Sequence, residues 1–473
     1  MADRVSVISP EQAACARRYD PPVIDRDRLA KLLERERSTF RERHPRSRTA
    51  NRAAGTSLFG SVPMTWMNMA PGGFPVYLAQ ARGARVTDLD GHSYVDLCLG
   101  DTAAMAGHSP EPVVRAVLQR YGEAGGATAM LPTADATWVG AELARRFAVP
   151  LWSFSLTATD ANRWAIRLAR LITGRPKILV FNWCYHGTVD ETFITLGKHG
   201  SIAREGNVGA PVDPTLTTRV VEFNDLDALE GELAHGDVAC VLMEPALTNI
   251  GIVLPLPGYL EGVRELTRRH GVLLVNDETH TFSAGPGGCT AAWGLEPDMV
   301  TVGKAIAGGL PAGAYGLTHE LAERVQARGD ADLVDTGGVG GTLAGNALST
   351  AATRATLEHV LTEAAFAGMI ALATRFTDGV RGVLVARGVP WSVVQLGARA
   401  EIRFTDPPPV NGGQSAAAGD PDLDDYLHLY LHNRGILLTP FHNMALVCPA
   451  TAEADIDLHT EVFTACVDEL LSA

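Results

Sequence analysis

Four short runs of almost uninterrupted apolar residues constrain the fold of this chain more than any other feature. They occupy residues 177–181, 239–244, 272–277 and 299–302. Strands without an alternation of polar and apolar residues are typical of a parallel sheet that helices cover on both faces. Residues 260–270, between two of the runs, carry apolar side chains at helical spacing, as expected of a crossover helix. The pattern predicts an α/β fold.

Size and charge favour an enzyme that acts on small molecules. The chain has 473 residues, of which 46% are hydrophobic, so it can bury a large core. Its formal net charge of -14 argues against nucleic acid and against a membrane surface as partners, because both attract basic proteins. The seven cysteines include no CxxC pair, so we expect neither a disulfide framework nor a metal site. Since no signal peptide or membrane span is evident, we expect a soluble, cytoplasmic protein.

The composition of the sequence changes twice along the chain, which suggests three units. These are an N-terminal arm with part of a small domain (1–99), a large domain (100–346) and a C-terminal small domain (347–473). Within the first unit, residues 28–43 predict an exposed helix laced with charges, and residues 76–96 predict a hairpin. Within the last unit, residues 406–420 are rich in Pro, Gly and Ala and predict a loop.

Each of the four apolar runs leads into a polar or aromatic side chain. Tyr185 follows the first run, and Glu244, Asp277 and Lys304 follow the others. Ligands of open α/β sheets bind beyond the carboxyl ends of the strands, so these four side chains are expected at one edge. Each charge would be costly if it were buried alone, whereas together they can pair with one another and with a charged ligand.

Lys304 allows two interpretations when its segment is considered alone. A lysine at a strand end can extend to the surface, or it can be a desolvated amine that forms a Schiff base. Pyridoxal 5'-phosphate (PLP) requires a lysine for its aldehyde, a carboxylate for its ring nitrogen and an aromatic or apolar side chain for its ring face. The combination of these side chains therefore favours the Schiff-base interpretation.

The order of these motifs resembles that of the class III aminotransferases, a family of fold-type I PLP enzymes. The similarity is carried by residues 277–280, 296–298, 303–304 and 308–316, and it is greatest to the branch of glutamate-1-semialdehyde aminomutases and β-amino acid aminotransferases. It extends over residues 83–347 and more weakly to the end of the chain. The resemblance implies a large domain with a mostly parallel seven-stranded sheet between helices, a small α+β domain built from both termini, and PLP as the cofactor.

The resemblance also implies roles for residues around the cofactor. Lys304 matches the lysine that forms the Schiff base and moves protons, and Asp277 matches the carboxylate that keeps the ring nitrogen protonated. Tyr185 matches the aromatic residue that stacks on the ring, with an ordinary core tyrosine as the alternative. Its neighbour His186 and the strand-end Glu244 are expected at the rim of the cofactor.

The cofactor's phosphate is expected where Thr157, Ala158 and Thr159 precede a helix, because the amide groups at a helix start bind anions. Family members have a glycine where this chain has Ala158. A plain helix cap by Thr157 or Thr159 would look the same in the sequence. Thr342 matches a threonine that reaches the phosphate from the partner subunit. The resemblance therefore implies a homodimer with active sites at the subunit interface.

Two departures from the family pattern concern the ring and the substrate. Thr279 stands where the family has a valine, and its hydroxyl is expected to bond either to the cofactor's O3' or to the backbone. Residues 61–69 and 439–443 lack the arginines that grip a substrate carboxylate in relatives. The side chains left to line the substrate pocket are Trp66, Met67, Phe441 and His442. Arg399 or Arg403 would replace the missing arginines, or would be a solvated strand residue.

The sequence thus predicts a PLP-dependent aminotransferase that moves an amino group from an amine or amino acid to a carbonyl acceptor. An aminomutase, a racemase or an ammonia-releasing lyase would use Lys304 and Asp277 in the same way, so these residues do not separate the reactions. The missing arginines weigh slightly against an aminomutase. The remaining alternative is a binding protein without activity, which the retention of Lys304, Asp277 and Tyr185 opposes.

Overall fold

The chain alternates helices and strands through its centre, as the apolar runs predict. The computed structural model describes residues 24–205, 207–209, 212–328 and 341–472, so residues 1–23 of the predicted N-terminal arm lie outside the described residues. The α-helices are α1 (Arg26–Arg43), α2 (Pro45–Ala54), α3 (Glu111–Val117), α4 (Ala134–Phe147), α5 (Ala158–Thr173), α6 (Leu226–Leu233), α7 (Tyr259–His270), α8 (Gly288–Ala292), α9 (His319–Gln326), α10 (Ala347–His359), α11 (Glu363–Arg387), α12 (Gly412–Ala417), α13 (Pro421–His432) and α14 (Glu453–Leu471).

The strands form one large sheet and several small ones. They are β1 (Leu78–Arg82), β2 (Arg85–Asp88), β3 (Ser93–Asp96), β4 (Leu151–Ser155), β5 (Lys177–Phe181), β6 (Ile194–Gly197), β7 (Gly200–Ala203), β8 (Thr218–Val221), β9 (Val238–Met243), β10 (Leu273–Asp277), β11 (Met299–Val302), β12 (Gly313–Leu317), β13 (Ser392–Leu396), β14 (Arg399–Arg403), β15 (Ile436–Leu437) and β16 (Met444–Leu446). The four apolar runs of the sequence are β5, β9, β10 and β11.

The large sheet has seven strands in the order β4-β12-β11-β10-β9-β5-β8. Strand β12 runs antiparallel to its neighbours β4 and β11. The other neighbouring strands of the sheet, from β11 through β10, β9 and β5 to β8, all pair in parallel. Alternate side chains of β5 enter two different cores. Ile178 and Val180 pack on the side of α5, whereas Leu179 and Phe181 pack on the side of α6 and α7. Because both faces are covered, the strands carry apolar residues on both sides, and the predicted α/β fold with a mostly parallel seven-stranded sheet is confirmed.

Segments from the two ends of the chain share a smaller sheet. Strand β15 pairs in parallel with β3, which belongs to the antiparallel group β1-β2-β3 that the hairpin signal predicts. A separate antiparallel sheet contains β13, β14 and β16. This pairing fits a small domain built from both termini, and the boundaries at residues 99 and 347 stay predictions.

Two local predictions need correction. Helix α1 is not exposed all round, because Leu29, Leu33 and Phe40 form a buried stripe along α13. The charges of α1 mask this stripe in the sequence, although its spacing is helical. The predicted loop at residues 406–420 contains the short helix α12.

Within the described part of the chain, no single helix has the length and apolar character needed to cross a membrane. Helices α10 and α11 reach that length and composition only as a pair, bent by 72°.

Candidate active site

The carboxyl ends of five strands surround one cavity of about 320 Å³. Asp277, the last residue of β10, lies in its wall, and the segments after β4, β5, β9 and β11 contribute Thr157, Tyr185, Glu244 and Lys304, in that order. Side chains that are far apart in the sequence therefore meet at the edge of the sheet where ligands of α/β proteins bind.

Lys304 is held between a carboxylate and an imidazole. Its backbone has a left-handed φ of 48°, at the start of the turn that follows β11. The Nζ amine donates to Asp101 Oδ2 at 2.6 Å and lies 2.5 Å from His280 Nε2. Burial by itself would raise the pKa of Asp101, but the charges of Lys304 and His280 hold that pKa well below its ordinary value. Asp101 is therefore a carboxylate that fixes the amine at the cavity wall.

Asp277 ends β10 with a carboxylate that three donors surround. Asn162 Nδ2 and His186 Nδ1 lie 2.8 and 2.9 Å from Oδ2, and the backbone amide of Thr279 donates to Oδ1 at 3.0 Å. Burial would raise the pKa of Asp277, but the hydrogen bond and charge of His186, with Asn162 and Thr279, lower it to about 2. His186 is itself buried behind Asp277 and is absent from the cavity wall, so it contacts the carboxylate and not the cavity.

The start of α5 faces the cavity, and the loop after β5 packs tightly against it. Thr157 caps this helix, and its hydroxyl accepts from the amide of Asp160. The Thr159 hydroxyl accepts from the amide of Thr188 at 3.0 Å. Gly187 has a φ of 77°, and a Cβ at this position would lie 2.1 Å from Thr159 Oγ1. The plain helix cap is therefore present, and it leaves the amides of Ala158 and Thr159, at the start of the helix, to bind an anion.

Aromatic rings form one side of the cavity. Trp66 and Tyr185 line it, with 5.5 Å between their ring centroids. Phe441 packs on Trp66, with 5.6 Å between centroids, but it does not line the cavity as the sequence predicts. Burial, chiefly, raises the pKa of Tyr185 to about 12, so the phenol stays neutral. Tyr185 lines the cavity and is not an ordinary core residue, which leaves the predicted stacking role open to it.

Other predicted site residues lie elsewhere. Met67 lines a neighbouring cavity, and His442 is buried against Glu401, with 3.0 Å between Nδ1 and Oε1. Arg399 is only 1% exposed and donates to Thr102, so the solvated-strand alternative is wrong for it, and Arg403, 8% exposed, is buried as well. Neither arginine lines the cavity, because β14 packs into the core and carries both side chains inward.

Thr279 and Thr342 differ in their positions. Thr279 lines the cavity, and its hydroxyl is buried without a hydrogen-bond partner, so of the two alternatives the bond to the backbone is not formed. Thr342 is exposed, on the turn Gly341–Leu343, and does not line the cavity of its own chain.

Sequence reasoning missed Asp101, His280 and Thr248. Asp101 belongs to a turn in which Leu99, Asp101 and Thr102 all have positive φ without being glycine, a conformation that the sequence does not announce. His280 lies three positions after Asp277, inside the motif at residues 277–280. Its closeness to Asp277 in the sequence is the signal that points to it as a residue of the same site.

The residues present fit PLP. The cavity has an amine in Lys304 for the aldehyde, an ionised buried carboxylate in Asp277 for the ring nitrogen, and a helix start for the phosphate. The buried hydroxyl of Thr279 and Oε1 of Glu244 lack partners within the described structure, as polar atoms that await a ligand would.

This fold and this set of groups define a fold-type I PLP enzyme. The family model described as Aminotransferase class-III matches residues 68–467. The chain therefore belongs to the class III aminotransferase family, and its cofactor is pyridoxal 5'-phosphate.

Several relatives are aminomutases. The chain is 48% identical to a structure of a glutamate-1-semialdehyde-aminomutase from Pseudomonas aeruginosa PAO1, with a TM-score of 0.91 over 94% of this chain and 99% of that one. A lysine-to-alanine variant of that enzyme was solved in complex with PMP. A glutamate-1-semialdehyde 2,1-aminomutase from Anaeromyxobacter sp. (strain Fw109-5) is 33% identical over 82% of this chain and 89% of its own length. An omega-transaminase from Sphaerobacter thermophilus matches at 27% identity and a TM-score of 0.81, over 90% of this chain and 98% of its own.

These comparisons establish a PLP-dependent class III enzyme. They agree better with the aminomutase alternative than with the aminotransferase that the sequence predicts first.

Proposed function

We propose that this protein is a PLP-dependent aminomutase, which moves an amino group between neighbouring carbons of a small amino carbonyl compound. The observation that carries the proposal is the match to the Pseudomonas aeruginosa aminomutase, at 48% identity over nearly the whole of both chains. An aminotransferase is the second candidate.

Each residue of the site has a task in this reaction. Bound PLP supplies an aldehyde for the substrate amine and a ring that takes up the electron pair left when a proton departs. Lys304 Nζ removes the proton from the substrate carbon and returns one to another carbon. Asp277 holds the proton of the ring nitrogen through its negative charge, and the first turn of α5 holds the phosphate.

The cavity wall limits the substrate class. Among the described residues that line it, Lys304 is the only lysine or arginine, and the rest of the wall is largely apolar. A substrate carboxylate would find no second cation there. This observation favours a small substrate without a second charge, and it is also the reason to retain an aminotransferase of apolar amines as the second candidate.

The test is product analysis without an amino acceptor. Enzyme loaded with PLP or with pyridoxamine phosphate is given glutamate 1-semialdehyde, and in parallel an analogue in which a methyl group replaces the carboxylate. An aminomutase yields the rearranged amino ketone over many turnovers, with all nitrogen retained, and the apolar wall predicts a kcat/KM for the methyl analogue at least as high as that for glutamate 1-semialdehyde. An arrest after about one carbonyl product per site would indicate an aminotransferase. No rearranged product from either probe would contradict the proposal.

A further inference from the structure

A continuous chain of buried polar side chains leads away from Lys304. His280 Nε2 lies 2.5 Å from Lys304 Nζ, and His280 Nδ1 lies 2.7 Å from Thr248 Oγ1. The Thr248 hydroxyl donates in turn to Glu244 Oε2. His280, Thr248 and Glu244 are 6%, 1% and 2% exposed, so bulk water does not compete for these contacts. The tasks given above to Lys304 and Asp277 leave His280 and Thr248 without a role.

The chemistry of the donors sets the direction of this chain. A carboxylate only accepts hydrogen bonds, so the single hydroxyl hydrogen of Thr248 points to Glu244. The oxygen of Thr248 must then accept from His280, which puts a hydrogen on Nδ1 of that ring. The lone pair of Nε2 consequently faces Lys304, and it can accept a hydrogen bond or a proton from the amine.

Two carboxylates lie close to the ring of His280, one on each nitrogen. Asp101 Oδ2 lies 3.6 Å from Nε2, and Glu244 Oε2 lies 3.6 Å from Nδ1. Opposite charges at this distance stabilise an imidazolium. Lys304 as an ammonium opposes it, and so does Arg399, which interacts electrostatically with both carboxylates. Once Lys304 has given up its proton, Asp101 and Glu244 are the charged groups among the described residues that remain within 4 Å of the ring nitrogens.

We propose that His280 is a second catalytic acid–base residue, which takes a proton from Lys304 and gives it back, while Thr248 and Glu244 fix its tautomer. The inference rests on the proposed function. Lys304, as a free amine, first takes the proton from the substrate carbon. One N–H bond then breaks at Lys304 Nζ and one forms at His280 Nε2, so Lys304 becomes a neutral base again. The proton returns to a substrate carbon by the reverse steps, and no further reactant is needed.

The first test reads the tautomer and does not depend on any substrate. Full-length holoenzyme labelled with ¹⁵N-histidine is studied by solid-state NMR, with the His280 signals assigned by comparison with His280→Gln. Wild-type enzyme and Thr248→Ser, which keeps the hydroxyl, are expected to carry the hydrogen on Nδ1. Thr248→Val, which has the same shape without the hydroxyl, is expected to lose that preference. A resting His280 with its hydrogen on Nε2 would overturn the proposal, because that nitrogen could not accept from Lys304.

The second test measures proton transfer itself. Deuterium uptake from D₂O at the amine-bearing carbon is followed for glutamate 1-semialdehyde and for propylamine. We expect His280→Gln to slow this exchange about 100-fold, the size of a typical general acid–base contribution. Thr248→Val should slow it by a smaller factor and Thr248→Ser should restore it, with the affinity for PLP unchanged in both Thr248 variants. Equal exchange rates in wild type, His280→Gln and Thr248→Val would overturn the proposal.

The two proposals fail in different ways. Exchange at the amine-bearing carbon precedes both rearrangement and transamination. Exchange without a rearranged product would therefore contradict the aminomutase proposal, whereas the proposed role of His280 would still hold. If neither probe exchanges in the wild-type enzyme, the proposed function fails and the tautomer of His280 still decides the present inference.

Discussion

Asp277 shows at the scale of one residue how neighbours set a charge. The structure places three donors on its carboxylate, and His186 behind it lies 2.9 Å from Oδ2. Asp277→Asn keeps the shape and removes the charge that we propose holds a proton on the ring nitrogen of PLP. We expect kcat to fall by about 100-fold or more, since a neutral amide cannot support that proton. The measurement is steady-state turnover, with Asp213→Asn in an exposed turn as the control.

The same residue predicts a dependence of stability on pH. The pKa of Asp277 falls from 3.8 to about 2 on folding. A carboxyl group whose pKa is lowered in the folded state stabilises that state above its unfolded pKa, and the stabilisation disappears as the pH falls through the folded pKa. The contribution is on the order of 2 kcal/mol above about pH 4, and it should vanish between about pH 4 and pH 2.

Urea unfolding of the protein without cofactor checks this prediction. The difference in free energy of unfolding between the wild type and Asp277→Asn should shrink as the pH falls through that window. A difference that stays constant would mean that the carboxylate has no special stabilisation in the folded protein.

At the scale of an element, the start of α5 and the loop after β5 fit together at Gly187. A Cβ at this position would lie 2.1 Å from Thr159 Oγ1, and φ is 77°. Gly174, at the other end of α5, has a similar φ of 68° and open space around it. Gly187→Ala should therefore weaken PLP binding at least about tenfold, whereas Gly174→Ala should carry only a left-handed strain of about 1 kcal/mol.

Titration of the visible absorbance with PLP measures the affinity of both variants. If Gly174→Ala weakened binding as much as Gly187→Ala, general strain in α5 would explain the effect, and the close fit between Gly187 and Thr159 would not.

The elements also show how far sequence reasoning reaches. Strands β5, β9, β10 and β11 were predictable because burial on both faces leaves uninterrupted apolar runs, and their order along the chain implied that Glu244, Asp277 and Lys304 meet. The burial of Arg399 was not predictable, because a charged side chain in a strand normally points to water. Arg399 is buried because β14 packs into the core.

Contacts that depend on an unusual backbone conformation could not be predicted from the sequence either. Asp101 reaches Lys304 from a turn in which Leu99, Asp101 and Thr102 all have positive φ. These residue types do not favour positive φ, so the sequence does not predict this backbone path. The contact between the Lys304 amine and the Asp101 carboxylate was therefore visible only in the structure.

At the scale of the whole molecule, we expect a homodimer in which each subunit completes the other's site. Thr342 is exposed and does not line the cavity of its own chain. Leu343, next to it, is 51% exposed, so a partner subunit that contacts Thr342 would also cover an apolar side chain.

Mixed dimers test this sharing. A Lys304→Ala subunit paired with a Thr342→Ala subunit should contain one site that is free of both changes, and should recover about half of the wild-type activity. Purified heterodimers carrying two different affinity tags would be assayed against both parental homodimers. Activity no higher than that of Thr342→Ala homodimers would show that Thr342 does not act in the partner's site.

The most direct test of the account locates the cofactor on the chain. Purified holoenzyme is reduced with borohydride, digested, and its peptides are mapped by mass spectrometry, with Lys304→Ala and the exposed-lysine variant Lys198→Ala treated in parallel. We expect loss of the visible absorbance and a reduced pyridoxyl group on the peptide that contains Lys304, in the wild type and in Lys198→Ala but not in Lys304→Ala. A label on another lysine, or a protein that stays colourless with added PLP, would contradict the assignment of Lys304 and the site built around it.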